Sequence, residues 1–283
     1  MTAAPEIPLT FPCFGEILIG ILHRPERPRA RGVVIVVGGP QYRAGSHRQY
    51  VMLARHLAAA GYPVLRFDYR GMGDSGGTFA GFENVDADIR AAVDTLFEQV
   101  TEIRDVALWG LCDGASAIAF YGATDPRVTR VILVNPWVRD AVSLAQTHLR
   151  HHYTQRLFST RFWSDLLRGR VKVGKALRDL ADTLTTAFRR NSDNTDAAGD
   201  RPAAPLPERI GAAMERFAGR TLLILSDNDL TAREFDDAVL RGTNKRGTSG
   251  AVVKRLTDAN HTYSTQALRD QVHRWTTEWL AES

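Results

Sequence analysis

Cysteine is almost absent from this chain of 283 residues, which carries only Cys13 and Cys112. The two stand far apart, and neither belongs to a CxxC pair or a Cys/His cluster, which argues against a disulfide scaffold and a structural zinc site. Long apolar runs are also lacking. Val33–Val37 spans five residues, against the roughly 18–20 that a membrane-spanning helix needs. The opening MTAAPEIPLTF has no basic n-region, no apolar h-region and no small-residue cleavage site, so a cytoplasmic protein is expected. Nor is there a strong charge of one sign: 36 Lys plus Arg against 32 Asp plus Glu leave a formal +4. That excess is too small, and too poor in interleaved aromatics, for a nucleic-acid binder. No metal-ligand spacing or cofactor motif stands out, so neither a metal nor a cofactor is expected.

What is present is a soluble composition, 44% hydrophobic and 24% charged, long enough to bury a sizeable core. Short β-rich runs alternate with helix-length amphipathic stretches. Strands are expected at Val33–Val37, Val64–Phe67, Val106–Trp109, Val131–Val134, Leu222–Leu225 and Ala251–Leu256. Helices are expected over Arg48–Ala60, Val85–Val100, the stretch from Cys112 to Gly122, Arg233–Leu240 and Thr265–Leu280. This is the rhythm of an α/β protein with a central, mostly parallel twisted sheet. Near-continuous strands such as VVIVV and LLIL imply helices on both faces. Phe11–Leu22, alternating and carrying Gly15 and Gly20, reads as an antiparallel edge hairpin.

The rhythm stops after Asn135. Between Arg139 and Arg190 stand eleven basic residues against four acids, and a polar, Pro/Ala-rich run follows. The expected organisation is a core from residues 1–135 and 220–283 with a cap inserted over 136–219, ending in a flexible tether. The positive charge of the insertion would suit an anionic substrate.

The stretch most telling of chemistry is Val106-Ala-Leu-Trp-Gly110-Leu-Cys112-Asp-Gly114-Ala-Ser, in which an apolar strand meets Gly-x-Cys-x-Gly and continues as a small-residue helix. It reads as a nucleophile elbow, with glycine at both flanks because the turn is too tight for a side chain. Cys112 would stand at a helix N-terminus, where a thiolate is favoured and the Asp113 N–H faces a developing oxyanion. A base and an orienting acid should follow later strands in the order acid, histidine. Asp227 and Asp229 end the Leu222–Leu225 strand, and His261 follows Ala251–Leu256. Asp229, further into its loop, is the expected acid, and His261 the expected base. After Val33–Val37, the loop Gly38-Gly39-Pro40-Gln41 should supply a second oxyanion donor. Pro40 has no N–H, which leaves Gln41 first and Gly39 behind it. A further tight turn, Asp68-Tyr-Arg-Gly-Met-Gly-Asp-Ser75, follows Val64–Phe67.

Taken together, the elbow, the DYRGMGDS turn and the ordered Cys112, Asp229 and His261 make the chain resemble the α/β-hydrolase superfamily over nearly its whole length. More narrowly, GGPQYRAGSHRQY at Gly38–Tyr50, GLCDGASA at Gly110–Ala117 and ILSDNDLTAREF at Ile224–Phe235 resemble the exosortase A system-associated hydrolases, type-one subgroup. That resemblance implies a bacterial, cytoplasmic hydrolase encoded with exopolysaccharide and protein-sorting genes, with Cys112 as nucleophile, Asp229 as acid and His261 as base. Two departures from the commoner superfamily pattern stand out. Cysteine replaces serine at the elbow, and Gly38-Gly39-Pro40 replaces a His-Gly pair. Cysteine nucleophiles occur in dienelactone hydrolases and polyhydroxyalkanoate synthases of similar fold. The expected substrate is a small acyl compound, an ester or a thioester such as an acyl-CoA or an acyl-carrier protein, since thiol-thioester exchange is nearly isoenergetic. An acyltransferase using the same acyl-cysteine, or a non-catalytic ligand-binding protein of this fold, are the alternatives.

Overall fold

The computed structural model describes residues 4–39, 41–139, 204–242 and 250–282. The chain divides into two compact units, Met1–Val138 with Leu206–Ser283, and Arg139–Pro205. Apart from Arg139, the arginine-rich stretch lies outside the described residues, as does most of the expected cap.

Eight strands form one sheet in the first unit: β1 (Glu6–Cys13), β2 (Glu16–His23), β3 (Arg31–Val36), β4 (Val64–Phe67), β5 (Asp105–Leu111), β6 (Val128–Val134), β7 (Arg220–Ser226) and β8 (Val252–Leu256). Their order is β1-β2-β4-β3-β5-β6-β7-β8. β1 and β2 form the expected edge hairpin, in register from Glu6 opposite His23 to Cys13 opposite Glu16. Its two-residue turn, Phe14 at φ 49 and Gly15 at φ 80, has the doubly positive φ that matches the twist of a hairpin. β2 pairs antiparallel with β4, and every later pairing is parallel. β3 is flanked by β4 on one side and β5 on the other, so the strand order reverses there. Crevices at the carboxyl ends of strands beside such a reversal are where open α/β sheets bind ligands.

Alternate residues of each central strand feed two cores. Val34, Val36, Leu108, Leu133, Leu223 and Leu225 face one side, while Val33, Ile35, Trp109, Ile132, Leu222 and Ile224 face the other. On the second side lies α1 (Gln49–Ala59), whose Tyr50, Leu53, Ala54 and Leu57 recur at one-turn spacing. α6 (Gln266–Ala281) joins it through Val272, Trp279 and Leu280, so both faces are covered by helix. The first side is covered by α2 (Asp86–Gln99), α3 (Asp113–Tyr121) and α4 (Leu206–Arg216). α5 (Leu230–Phe235) follows β7 and widens into a π-type turn over Asp236–Leu240.

One boundary differs from the sequence reading. Residues 206–219, assigned above to the end of the insertion, form α4 and its connection to β7 within the first unit. Leu206, Ile210, Ala213 and Met214 are buried at helical spacing, a pattern that the Pro/Ala-rich lead-in obscured. Among the described residues no helix is long and apolar enough to cross a membrane.

Candidate active site

β5 delivers Cys112 directly into α3. The residue has φ 61 and ψ −130, a strained conformation for a side-chain-bearing residue. It persists because the surroundings leave the chain no other route. A Cβ on Gly110 would stand 2.6 Å from Ile118 Cδ1 and 2.8 Å from the Gly114 backbone. One on Gly114 would stand 2.6 Å from the Val36 carbonyl oxygen. The pentapeptide thus has glycine at the two positions where helix, strand and neighbouring strand meet backbone to backbone. Backbone bonds secure the turn further: the Cys112 N–H donates to Val134 O at 3.0 Å, and the Trp137 N–H donates to Cys112 O at 3.2 Å.

The residues expected as acid and base come from the ends of β7 and β8. Asp229 is buried, and its carboxylate accepts N–H bonds from Thr231 (3.3 Å) and Ala232 (3.2 Å), capping α5. Its Oδ2 also lies 2.8 Å from Nδ1 of His261. Burial pushes the His261 imidazole down, but hydrogen bonds to Asp229 and to the Cys112 thiol, with their negative charge, outweigh it and raise its pKa to about 10. Asp229 and His261 are thus hydrogen-bonded directly, and Cys112 lies close enough to act on the imidazole. Asp227, the other acid weighed, is exposed and instead braces the loop, its Oδ1 accepting the Ala259 N–H at 3.2 Å.

Sequence reasoning missed Asn135. This residue is fully buried at φ 45, at the end of β6. Its Nδ2 donates to Ser226 Oγ and to the His261 carbonyl, both at 3.0 Å, and its Oδ1 accepts the Ser226 N–H at 2.8 Å. It fastens the histidine loop to the end of β7. An asparagine between a strand and Pro136 reads as ordinary turn chemistry, and nothing local says where its amide points.

The DYRGMGDS turn has a definite task. Asp68 is buried; its carboxylate accepts the Arg43 N–H at 2.6 Å and the Asp74 N–H at 3.1 Å, and pairs with the Arg43 guanidinium. Ser75 Oγ donates to Asp68 O at 2.8 Å and accepts the Ile19 N–H at 2.9 Å. The turn thereby ties the loop after β3, through Arg43, to the antiparallel edge of the sheet.

In that loop the structure corrects the expected oxyanion donors. Gln41 N–H is turned back onto Gly39 O at 2.8 Å, so it does not face the elbow. Gly39 N–H does face it, and donates to Oδ1 of Asp113. The backbone donors of Gly39, Gly114 and Asp113 favour the charged form of this carboxyl. Burial raises its pKa, against the pull of these donors and of His261. Pro40 lies outside the described residues.

A family model described as serine aminopeptidase, S33, matches residues 28–199, more than half of the chain. The chain belongs to the S33 hydrolase family. Its fold is the α/β-hydrolase fold, seen also in solved structures of low sequence identity. An esterase of Pyrococcus furiosus is 16% identical with a TM-score of 0.65, covering 98% of this chain and 90% of that one. Est1E of Butyrivibrio proteoclasticus, solved with ferulic acid bound, is 14% identical with a TM-score of 0.61 over 97% of this chain and 100% of its own. A dienelactone hydrolase of Anabaena variabilis is 15% identical with a TM-score of 0.61, covering 99% and 98%. A search of the curated proteins finds no match. The S33 family is described by a serine, whereas this member has cysteine at the centre of the elbow pentapeptide.

Proposed function

We propose that this S33-family protein hydrolyses a carboxylic ester or thioester through an acyl-enzyme on Cys112, with His261 as base and Asp229 as its orienting acid. The observation that carries the reading is the His261–Asp229 hydrogen bond of 2.8 Å, with the strained elbow cysteine close enough to the imidazole to raise its pKa. The raised imidazole is a strong proton acceptor beside Cys112, so His261 draws the thiol proton as attack begins. Sγ attacks the acyl carbonyl, the bond to the leaving alcohol or thiol breaks, and His261 hands that group its proton. His261 then takes a proton from water, the resulting hydroxide adds to the thioester carbonyl, and Cys112 departs as thiolate, releasing the carboxylic acid. Asp229 fixes the imidazole tautomer throughout.

A thiol nucleophile makes acyl-CoA and acyl-carrier-protein thioesters natural donors, and the esterase and dienelactone hydrolase neighbours fit the ester and lactone side of the same chemistry. The Gly38–Tyr50, Gly110–Ala117 and Ile224–Phe235 stretches support a bacterial cytoplasmic setting beside exopolysaccharide and protein-sorting functions.

The test is a hydrolysis screen over acyl-CoA chain lengths, p-nitrophenyl esters and lactones, with folded Cys112→Ala, His261→Ala and Asp229→Asn beside the parent. Each substitution should lower kcat by about 10⁴–10⁶-fold, least for Asp229→Asn, as removal of a triad member does. Turnover that survives in Cys112→Ala would remove the thiol from the mechanism. A burst of acylation followed by turnover that needs an added alcohol or thiol would identify an acyltransferase instead.

A further inference from the structure

A donor that an oxyanion would use, the Gly39 N–H, is already occupied by the protein itself. A tetrahedral intermediate on Cys112 needs N–H groups about 2.7–3.1 Å from its oxygen. The donors flanking the elbow are the N–H groups of Gly39 and Asp113, and the Gly39 N–H donates to the carboxyl of Asp113. The backbone around this contact is close: a Cβ on Gly38 would stand 2.7 Å from the same Asp113 Oδ1. The carboxyl therefore lies folded over the start of α3 against the Gly38-Gly39 backbone. That is the arrangement a carboxylic acid product would adopt as it leaves, with its oxygens on the oxyanion donors.

Resting on the assignment of Cys112 as acyl carrier, we propose that Asp113 is a built-in product mimic that fills the oxyanion hole, and that an acyl carbonyl displaces it before attack. Substrate spends part of its binding energy on this displacement, and free carboxylates compete poorly for donors that an internal carboxyl already holds. The hole thus discriminates between an acyl group tethered well enough to displace Asp113 and a loose carboxylate. The buried Tyr69 hydroxyl, which has no hydrogen-bond partner among the described residues and feels the Asp113 charge, offers a polar group for the displaced carboxyl.

The test compares two reactions of the same thiol in the parent, Asp113→Ala and Asp113→Asn. Acylation by p-nitrophenyl acetate uses the hole, whereas alkylation by iodoacetamide does not. A change in thiol reactivity moves both rates together, so their ratio isolates the hole. Asp113→Ala should raise the acylation-to-alkylation ratio by about tenfold and tighten inhibition by acetate by a similar factor, the scale of one oxyanion-hole contact partly regained. Asp113→Asn, which keeps the acceptor oxygen without its charge, should fall between; if the alanine variant does not fold, the asparagine ratio decides. A ratio that is unchanged or lower, with a normal acylation burst in the parent, overturns the mimic and leaves Asp113 as a helix-start residue. A parent that shows no burst absent from Cys112→Ala overturns the acyl-cysteine reading as well.

Discussion

The site is assembled from two kinds of loop, and they are held in place by opposite means. The elbow after β5 is fixed by exclusion: Gly110 and Gly114 leave no room for a side chain, and the chain must pass through φ 61 at Cys112. The loops after β7 and β8 are fixed by attachment. The Asn228 N–H donates to Ala259 O at 3.0 Å, Asp227 holds the Ala259 N–H, and Asn135 fastens both Ser226 and the His261 carbonyl. Exclusion fixes Cys112 through backbone contacts that no titration or side-chain substitution can loosen. Attachment places a base and an acid through groups that are themselves sensitive to charge and substitution.

The comparison can be broken most severely at the elbow. Gly114→Ala sets a methyl 2.6 Å from the Val36 carbonyl oxygen, a backbone atom that cannot swing aside. It should cost more than about 3 kcal/mol, at the upper end of overpacking effects, and abolish Cys112-dependent turnover. Denaturant unfolding beside an activity assay would check this, and native stability with full turnover would show that the elbow has slack. Asn135→Ala should be milder. It strands the Ser226 N–H and the His261 carbonyl away from water, worth about 1–3 kcal/mol, and lowers kcat by loosening the base. If iodoacetamide still labels the variant's Cys112 at the parental rate while acyl turnover falls, the elbow and the attached loops are separable.

The smallest effect sharpens the contrast through pH. The folded pKa of His261 lies near 10, above the unfolded value of about 6.5, so its pairing stabilises the fold fully below pH 6.5 and is lost as pH rises through 10. With the imidazole about a third exposed, solvent screens much of this, and a fall in Tm of a few degrees between pH 7 and 10 is expected. His261→Ala should flatten that part of the profile. An unchanged slope in the variant would mean that other groups set the alkaline limb.

The same division governs what could be read from the sequence. The sheet order of elements, the edge hairpin and the elbow are legible because apolar runs and obligatory glycines are local statements. Asp229 was reached as the residue further into its loop, and the structure adds that it caps α5 and meets His261. Gln41 was expected as a donor because Pro40 lacks an N–H, but the direction of an N–H depends on how the loop turns, and Gly39 at φ 66 turns it the other way. Asn135 and the Asp68–Arg43 tie are contacts between segments distant in sequence, with no local pattern to announce them. α4 was absorbed into the insertion because its buried positions follow a stretch rich in proline and alanine.

Asp229 serves two masters, the imidazole of His261 and the first turn of α5. Cys112 has no such second employment, since its side chain makes no capping bond at the start of α3. In a lineage drifting away from chemistry, the acid would be retained for the sake of its helix while the thiol was free to vary. A change at position 229 would therefore be felt by α5 as well as by His261, whereas one at position 112 would cost the start of α3 no capping bond.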